Sequence, residues 1–156
     1  MSKCLLAIRI RGGVNASHRV EDTLRMLRVD RNNTATLLDD RPDYLGMLQR
    51  AKDYVTWGEP TLETVRLVLE KRGRIVGDHP IDVETLTALG YENMNALAKA
   101  LHTVEAEYHK LTGVKPFFRL HPPSKGFKRS VKRPFRSRGE LGYRGEEINE
   151  LAKRMC

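Results

Sequence analysis

The sequence predicts an α+β fold, on three observations. Over residues 1–60, β-compatible runs alternate with helical periodicities in the order strand, helix, strand, helix, strand. Residues 61–114 carry helical spacing alone. Residues 115–138 hold all four phenylalanines, four of the seven prolines and nine of the 28 Lys and Arg, with no Asp or Glu. Prolines at that density rule out a helix and stiffen the segment.

The first strand is the apolar run at residues 4–10, which ends in the turn Arg9-Ile10-Arg11-Gly12-Gly13, where two glycines relax the backbone. Ser17 is placed as an N-cap, Glu21 and Asp22 fall near the positive end of the first helix, and Val20, Leu24 and Leu27 recur at helical spacing as far as Val29. Residues 33–38 are Thr-rich and β-branched, and Pro42 stands as the first residue of a second helix. In that helix Tyr44, Met47, Leu48, Ala51 and Val55 form one apolar stripe. A third strand, Val55-Thr56-Trp57, ends at Gly58-Glu59-Pro60. The unit is expected to be a two-layer, ferredoxin-like-related core with both helices on one face of its sheet and the other face left available.

Thr61 caps the next helix, with Leu62, Val65 and Leu69 on one side and Arg72-Gly73 as its stop. A shorter helix spans residues 82–89. The spacing of Leu97, Leu101, Val104, Tyr108 and Leu111 predicts one long helix from Asn93 to Gly113. A small helix over residues 146–155 closes the chain. The expected organisation is a core domain at 1–60, a helical extension at 61–114, and a basic aromatic arm with its short helix at 115–156.

Without residues 115–138 the chain has 19 basic and 20 acidic residues, so its net charge of +8 belongs to that one segment. A polyanion met locally is the implied partner. Cations interleaved with aromatics suit RNA, because Lys and Arg neutralise phosphates while rings offer stacking surfaces to unpaired bases. Lys125, Lys128, Arg129, Lys132, Arg133, Arg136 and Arg138 are the candidate cations, with Arg119 and His121 beside them. Held as polyproline II, at about 3.1 Å per residue, the segment would reach on the order of 70 Å. Phe117 and Phe118 adjoin a helix end and read as core; Phe127 and Phe135 stand isolated among cations and read as base contacts.

The Arg9-to-Asn15 loop precedes a helix start, where backbone N–H groups favour phosphate, but it lacks nucleotide-loop spacing. Cys4 and Cys156 read as reduced thiols, with no metal-ligand spacing and no cofactor implied. His102 and His109 share the expected long helix without further ligands. No run of about 18 apolar residues is present, which argues against a spanning helix, and Met1-Ser2-Lys3 leads straight into a strand, which argues against export. A phosphate-transfer enzyme on the glycine loop lacks a general base. A free-standing RNA chaperone or transcript regulator would use the same basic surfaces.

Three runs together resemble one family: R-L-H-P-P-S-K-G-F at residues 119–127, L-G-Y-R-G-E-E-I-N-E-L at 141–151, and G-M-L-Q-R-A-K-D-Y-V-T-W-G-E-P at 46–60. Along essentially its whole length the chain is similar to the large-subunit ribosomal protein numbered thirty in archaea, related to number seven of eukaryotic cytoplasmic ribosomes. Bacterial relatives end near position 60, and eukaryotic ones carry a basic N-terminal extension absent here, which points to an archaeal source. The resemblance implies a structural constituent of the large ribosomal subunit in the cytoplasm, binding large-subunit (23S) rRNA. It implies no enzymatic activity, cofactor, small-molecule substrate or membrane; 5S rRNA and neighbouring ribosomal proteins are further candidate partners. The family's basic loop matches Arg9, Arg11, Gly12 and Gly13, and its tail motif matches Arg119, His121, Lys125 and Phe127.

Overall fold

Strand β1 (Cys4–Arg9) runs through a six-stranded sheet, and all six of its residues are buried in the computed structural model, which describes residues 3–12, 17–111 and 113–156. Burial on both faces explains why its sequence is a continuous apolar run and not an alternation. Strands β2 (Thr34–Asp39) and β3 (Val55–Gly58) flank it, both antiparallel, with Leu6 opposite Leu37 on one side and Gly58 on the other.

Helices α1 (His18–Met26) and α2 (Pro42–Arg50) cover one face, packing Leu24, Leu27 and Leu48 against Leu5, Ala7 and Trp57. Ser17 caps α1 as expected, its hydroxyl accepting the Val20 N–H at 3.3 Å, and Pro42 opens α2. The fold is α+β, as the sequence predicts.

The second face of this sheet is not left open. Helices α3 (Leu62–Arg72), α5 (Met94–His102) and α6 (Ile148–Met155) close over it, with α4 (Val83–Ala88) between the first two in sequence. Val65, Val68, Leu97, Leu101 and Leu151 pack there against Leu6, Ile8 and Leu37. Both faces of β1 therefore belong to a core, one from each half of the chain.

The long helix expected from Asn93 to Gly113 is two elements. Helix α5 stops at His102, and Val104 takes a left-handed conformation, φ 62°. The Glu105 N–H then donates back to the Ala100 carbonyl at 2.9 Å and the Val104 N–H to Leu101 at 3.2 Å, which is the six-to-one and five-to-two pattern of a glycine-type helix stop. A β-branched residue supplies it here, so no sequence signal marked the end. Tyr108 lies in a separate 3₁₀ turn and stacks on Phe118, ring centroids 4.6 Å apart and planes 19° from parallel. His102 and His109 therefore do not share a helix: His102 Nε2 lies 3.1 Å from the Pro60 carbonyl, and His109 sits beside Glu107.

The basic segment is also not a free arm of about 70 Å. Its start forms β4 (Phe118–Arg119), antiparallel to β2, and its later part forms β5 (Ser130–Pro134), which pairs irregularly with β6 (Gly139–Tyr143). Strand β6 lies parallel to β3, and the sheet order is β4-β2-β1-β3-β6-β5. Between β4 and β5 the chain crosses the end of α6, where His121 and Ser124 donate their N–H groups to the Met155 and Arg154 carbonyls, each at 3.0 Å. Fully buried Phe118 anchors the start of this path. Extended, proline-rich backbone is satisfied here by pairing with the body, not by water alone.

Cys4 and Cys156 are free thiols. Burial, and then the Asp39 charge, pushes the Cys4 thiol up to about 12, so it stays protonated at neutral pH.

Candidate nucleic-acid interface

Strand β6 carries the basic edge because it is bolted to β3 by a buried polar network. Arg144 Nε donates to Thr56 Oγ1 at 2.7 Å, its terminal nitrogen donates to Glu140 Oε2 at 2.7 Å and to the Glu140 carbonyl, and Thr56 Oγ1 donates to the Gly142 carbonyl at 2.7 Å. Glu140 Oε1 accepts the Arg129 N–H at 3.0 Å, which fixes the entry to β5. Burial lowers the pKa of Arg144 while the Glu140 carboxylate opposes that shift. Gly139 has its own reason: a Cβ there would lie 1.8 Å from the Arg133 carbonyl oxygen. The close approach of β5 to β6 needs glycine.

On this frame Lys132 and Arg133 of β5 are exposed, and so are Lys125, Lys128, Arg129, Arg136 and Arg138 around them. Lys128 pairs with Glu150 at 3.0 Å, and the Arg129 guanidinium sits 4.9 Å from the centre of the Phe135 ring. Arg144 approaches the same ring at 5.2 Å, so half-buried Phe135 takes two cations and is not isolated among them. Lys125, Lys132, Arg133, Arg136 and Arg138 have no carboxylate partner among the described residues.

The other sequence-selected residues are placed differently. Arg9 is 5 % exposed; its guanidinium donates to the Val29 and Arg11 carbonyls at 3.1 and 3.0 Å, and it braces the loop from within. Arg11 lies 5.3 Å over the Tyr54 ring, Gly12 is exposed, and Gly13 lies outside the described residues. His121 holds the end of the chain, with Nε2 2.8 Å from the Cys156 carbonyl and Nδ1 2.6 Å from that of Pro122. Arg119, on the opposite sheet edge from β5, stands over the Phe117 ring at 5.7 Å. The glycine loop and the tail motif meet through one residue, Asn33, which donates to the Arg9 carbonyl at 2.8 Å and accepts the Leu120 N–H at 2.9 Å.

Phe127 is half-buried and packs against the hydrophobic core. Phe127→Ala is therefore expected to cost about 1–2 kcal/mol of stability, less than the ~3–5 of a fully buried ring. Denaturant unfolding of the free protein measures it. An unchanged midpoint with weakened RNA binding would assign the ring to a base instead.

Glu140 and Arg144 were not picked out from the sequence as partners. Their separation of four residues looks like an ordinary exposed pair, and only the shared exposure of 6 % and 5 % reveals the buried network. Among the described residues no helix is long and apolar enough to cross a membrane, and no cluster of His, Cys, Asp and Glu could hold a metal.

Residues 5–55 match the family model described as ribosomal protein L30p/L7e. The large ribosomal subunit protein uL30 of Methanopyrus kandleri is 47% identical over 148 residues, covering 94% of this chain and 99% of its own. That of Staphylothermus marinus is 48% identical over 154 residues, with 95% of both chains covered, and that of Aeropyrum pernix 47% over 152, covering 95% and 96%. With an α+β frame, a basic sheet edge and relatives matched along nearly their whole length, the chain belongs to the archaeal branch of the L30p/L7e ribosomal protein family, as a non-enzymatic structural constituent of the large ribosomal subunit in the cytoplasm.

Proposed function

We propose that the protein binds large-subunit (23S) rRNA and that the β5 edge is its principal contact. The observation that carries this reading is the set of five exposed cations, Lys125, Lys132, Arg133, Arg136 and Arg138, on and beside one edge strand and without carboxylate partners among the described residues. A solvated surface gains little from crowding like charges, whereas a phosphate backbone neutralises them and releases its counterions. Half-buried Arg11 and exposed Gly12, on the loop braced by Arg9, offer a second point of contact. His121 and Phe127 act through the fold: one holds the chain end and the other the core, and both position the segment that leads into β5.

Neighbouring ribosomal proteins and 5S rRNA are the further partners in this reading, and a protein–RNA crosslink map of assembled subunits tests both. The direct test of the function is sedimentation. The tagged protein is expected to remain with the large subunit through a moderate-salt wash, and the variant Lys132→Gln/Arg133→Gln/Arg136→Gln/Arg138→Gln to be displaced from it. Recovery of the unaltered protein in the ribosome-free fraction would favour a free-standing RNA chaperone.

A further inference from the structure

At the end of the sheet where β1 begins and β3 and β6 stop, a groove of about 1160 Å³ lies between the exit of β3, the turn after α5 and the turn after β6. Half-buried Val104 and buried Pro60 line it, together with Tyr143, a tyrosine left 44 % exposed. Glu59, Glu105 and Glu146 line it too, and none of the three pairs with a cation among the described residues. Lys3 is the one lysine or arginine on these walls. On a chain of net charge +8, a groove of that sign repels a phosphate backbone and attracts a cation.

The walls are tied to one another. The Thr61 N–H, just past β3, donates to Asn149 Oδ1 at 2.8 Å, and Asn149 Nδ2 donates to the Glu146 carbonyl at 2.8 Å. The end of α5 joins them through the His102 contact with the Pro60 carbonyl. The Tyr143 ring is fixed as well, its hydroxyl donating to both carboxylate oxygens of Glu59 at 2.8 Å. That bond, then burial, then the charges of Glu59 and Glu146 push the Tyr143 pKa up, so two carboxylates act on one exposed ring. An aromatic face beside carboxylates suits a guanidinium or an ammonium, which the ring attracts and the carboxylates pair. Small-molecule pockets run to about 300–1,000 Å³, so a groove this size suits a stretch of extended peptide better.

We propose that this groove holds a lysine- and arginine-rich extended segment of a neighbouring protein in the large subunit. The proposal rests on the reading above that neighbouring ribosomal proteins are partners, and gives them a surface and a chemistry. Charge complementarity names the occupant: the basic β5 edge suits RNA, and the acidic groove suits a basic peptide.

Two measurements test it. In the first, p-benzoylphenylalanine replaces Thr103, an exposed residue on the groove wall, and assembled large subunits are purified and irradiated. The expected crosslink, mapped by mass spectrometry, is to a Lys/Arg-rich segment of another subunit protein. A crosslink to rRNA, to a segment without that composition, or to nothing overturns the groove alone. Absence of the labelled chain from large subunits overturns the ribosomal-partner reading as a whole. In the second, a fluorescent peptide of alternating Arg and Gly is titrated with the full chain and followed by anisotropy. Glu105→Gln/Glu146→Gln should weaken binding about tenfold, as the loss of two favourable ion pairs. Tyr143→Leu should weaken it about threefold through the lost ring face. Glu84→Gln/Glu92→Gln removes the same charge from exposed positions outside the groove and should leave binding unchanged. Equal weakening by the two double variants would make the attraction non-specific and overturn the proposal.

Discussion

Arg144→Ala is expected to destabilise the protein by about 3–5 kcal/mol, because it strands a buried carboxylate. Glu140 and Arg144 are 6 % and 5 % exposed at the side chain, and Arg144 also donates to Thr56 on the neighbouring strand. Removing the guanidinium leaves Glu140 without its cation and Thr56 Oγ1 without its donor. For a chain of this size the melting temperature should fall by on the order of 10 °C, at roughly 2–4 °C per kcal/mol. Replacing the pair together, as Glu140→Leu/Arg144→Met, should recover most of the loss, since apolar packing often matches a buried ion pair. Calorimetry on the two variants decides it; a single-variant loss under about 1 kcal/mol would mean that water reaches the pair. RNA binding should weaken with stability in Arg144→Ala, because Glu140 also holds the entry to β5 through the Arg129 N–H.

Phe118→Ala should have the second-largest effect, about 3–5 kcal/mol from the cavity left by a fully buried ring. The stacked contact with Tyr108 adds roughly 0.5–1.5 kcal/mol of that class of interaction. Burial already pushes the Tyr108 hydroxyl's pKa up, and that hydroxyl has no hydrogen-bond partner among the described residues, so the tyrosine depends on packing for its place. Phe118 also sits at the start of the crossing from one sheet edge to the other. Its loss should release β4, and limited proteolysis should then cut between residues 115 and 124 in the variant well before the unaltered chain. Equal cleavage of the two would show that the hydrogen bonds of β4 hold the segment without the ring.

The first sixty residues were legible because each element carries two agreeing signals. Ser17 marks the start of α1 while Leu24 and Leu27 mark its face; Pro42 opens α2 while Leu48 and Ala51 mark its stripe. Beyond that point the signals part company. Val104 stops α5 in a conformation that glycine usually supplies, so the periodicity through Tyr108 and Leu111 reads on into a helix that is not there. Strand β5 is exposed, basic and ends in Pro134, the dress of an edge strand, which in sequence looks like a loop. Strand β6 interrupts its apolar run with Gly139, Glu140 and Gly142. Each of the three has a tertiary reason: Gly139 meets the Arg133 carbonyl, Glu140 meets Arg144, and Gly142 takes φ 81°.

For the candidate interface, composition singled out one segment and misjudged its geometry. Charge counting identified residues 115–138 as the basic region, yet it could not show that Arg119 and Arg133 stand on opposite sheet edges. Nor could it separate Arg9, buried under two backbone carbonyls, from Arg11 two residues on. Side-chain direction is a property of the fold, and charge alone does not encode it.

The claim that RNA is held by uncompensated cations is tested most directly by the salt dependence of binding to large-subunit rRNA. With about five phosphates neutralised, at roughly 0.7–0.9 per contact, log affinity against log salt should fall with a slope of order −4 or steeper. Changing Lys132, Arg133, Arg136 and Arg138 to Gln should flatten it by about three. A slope near zero in the unaltered protein, or one unmoved by those four substitutions, would contradict the account.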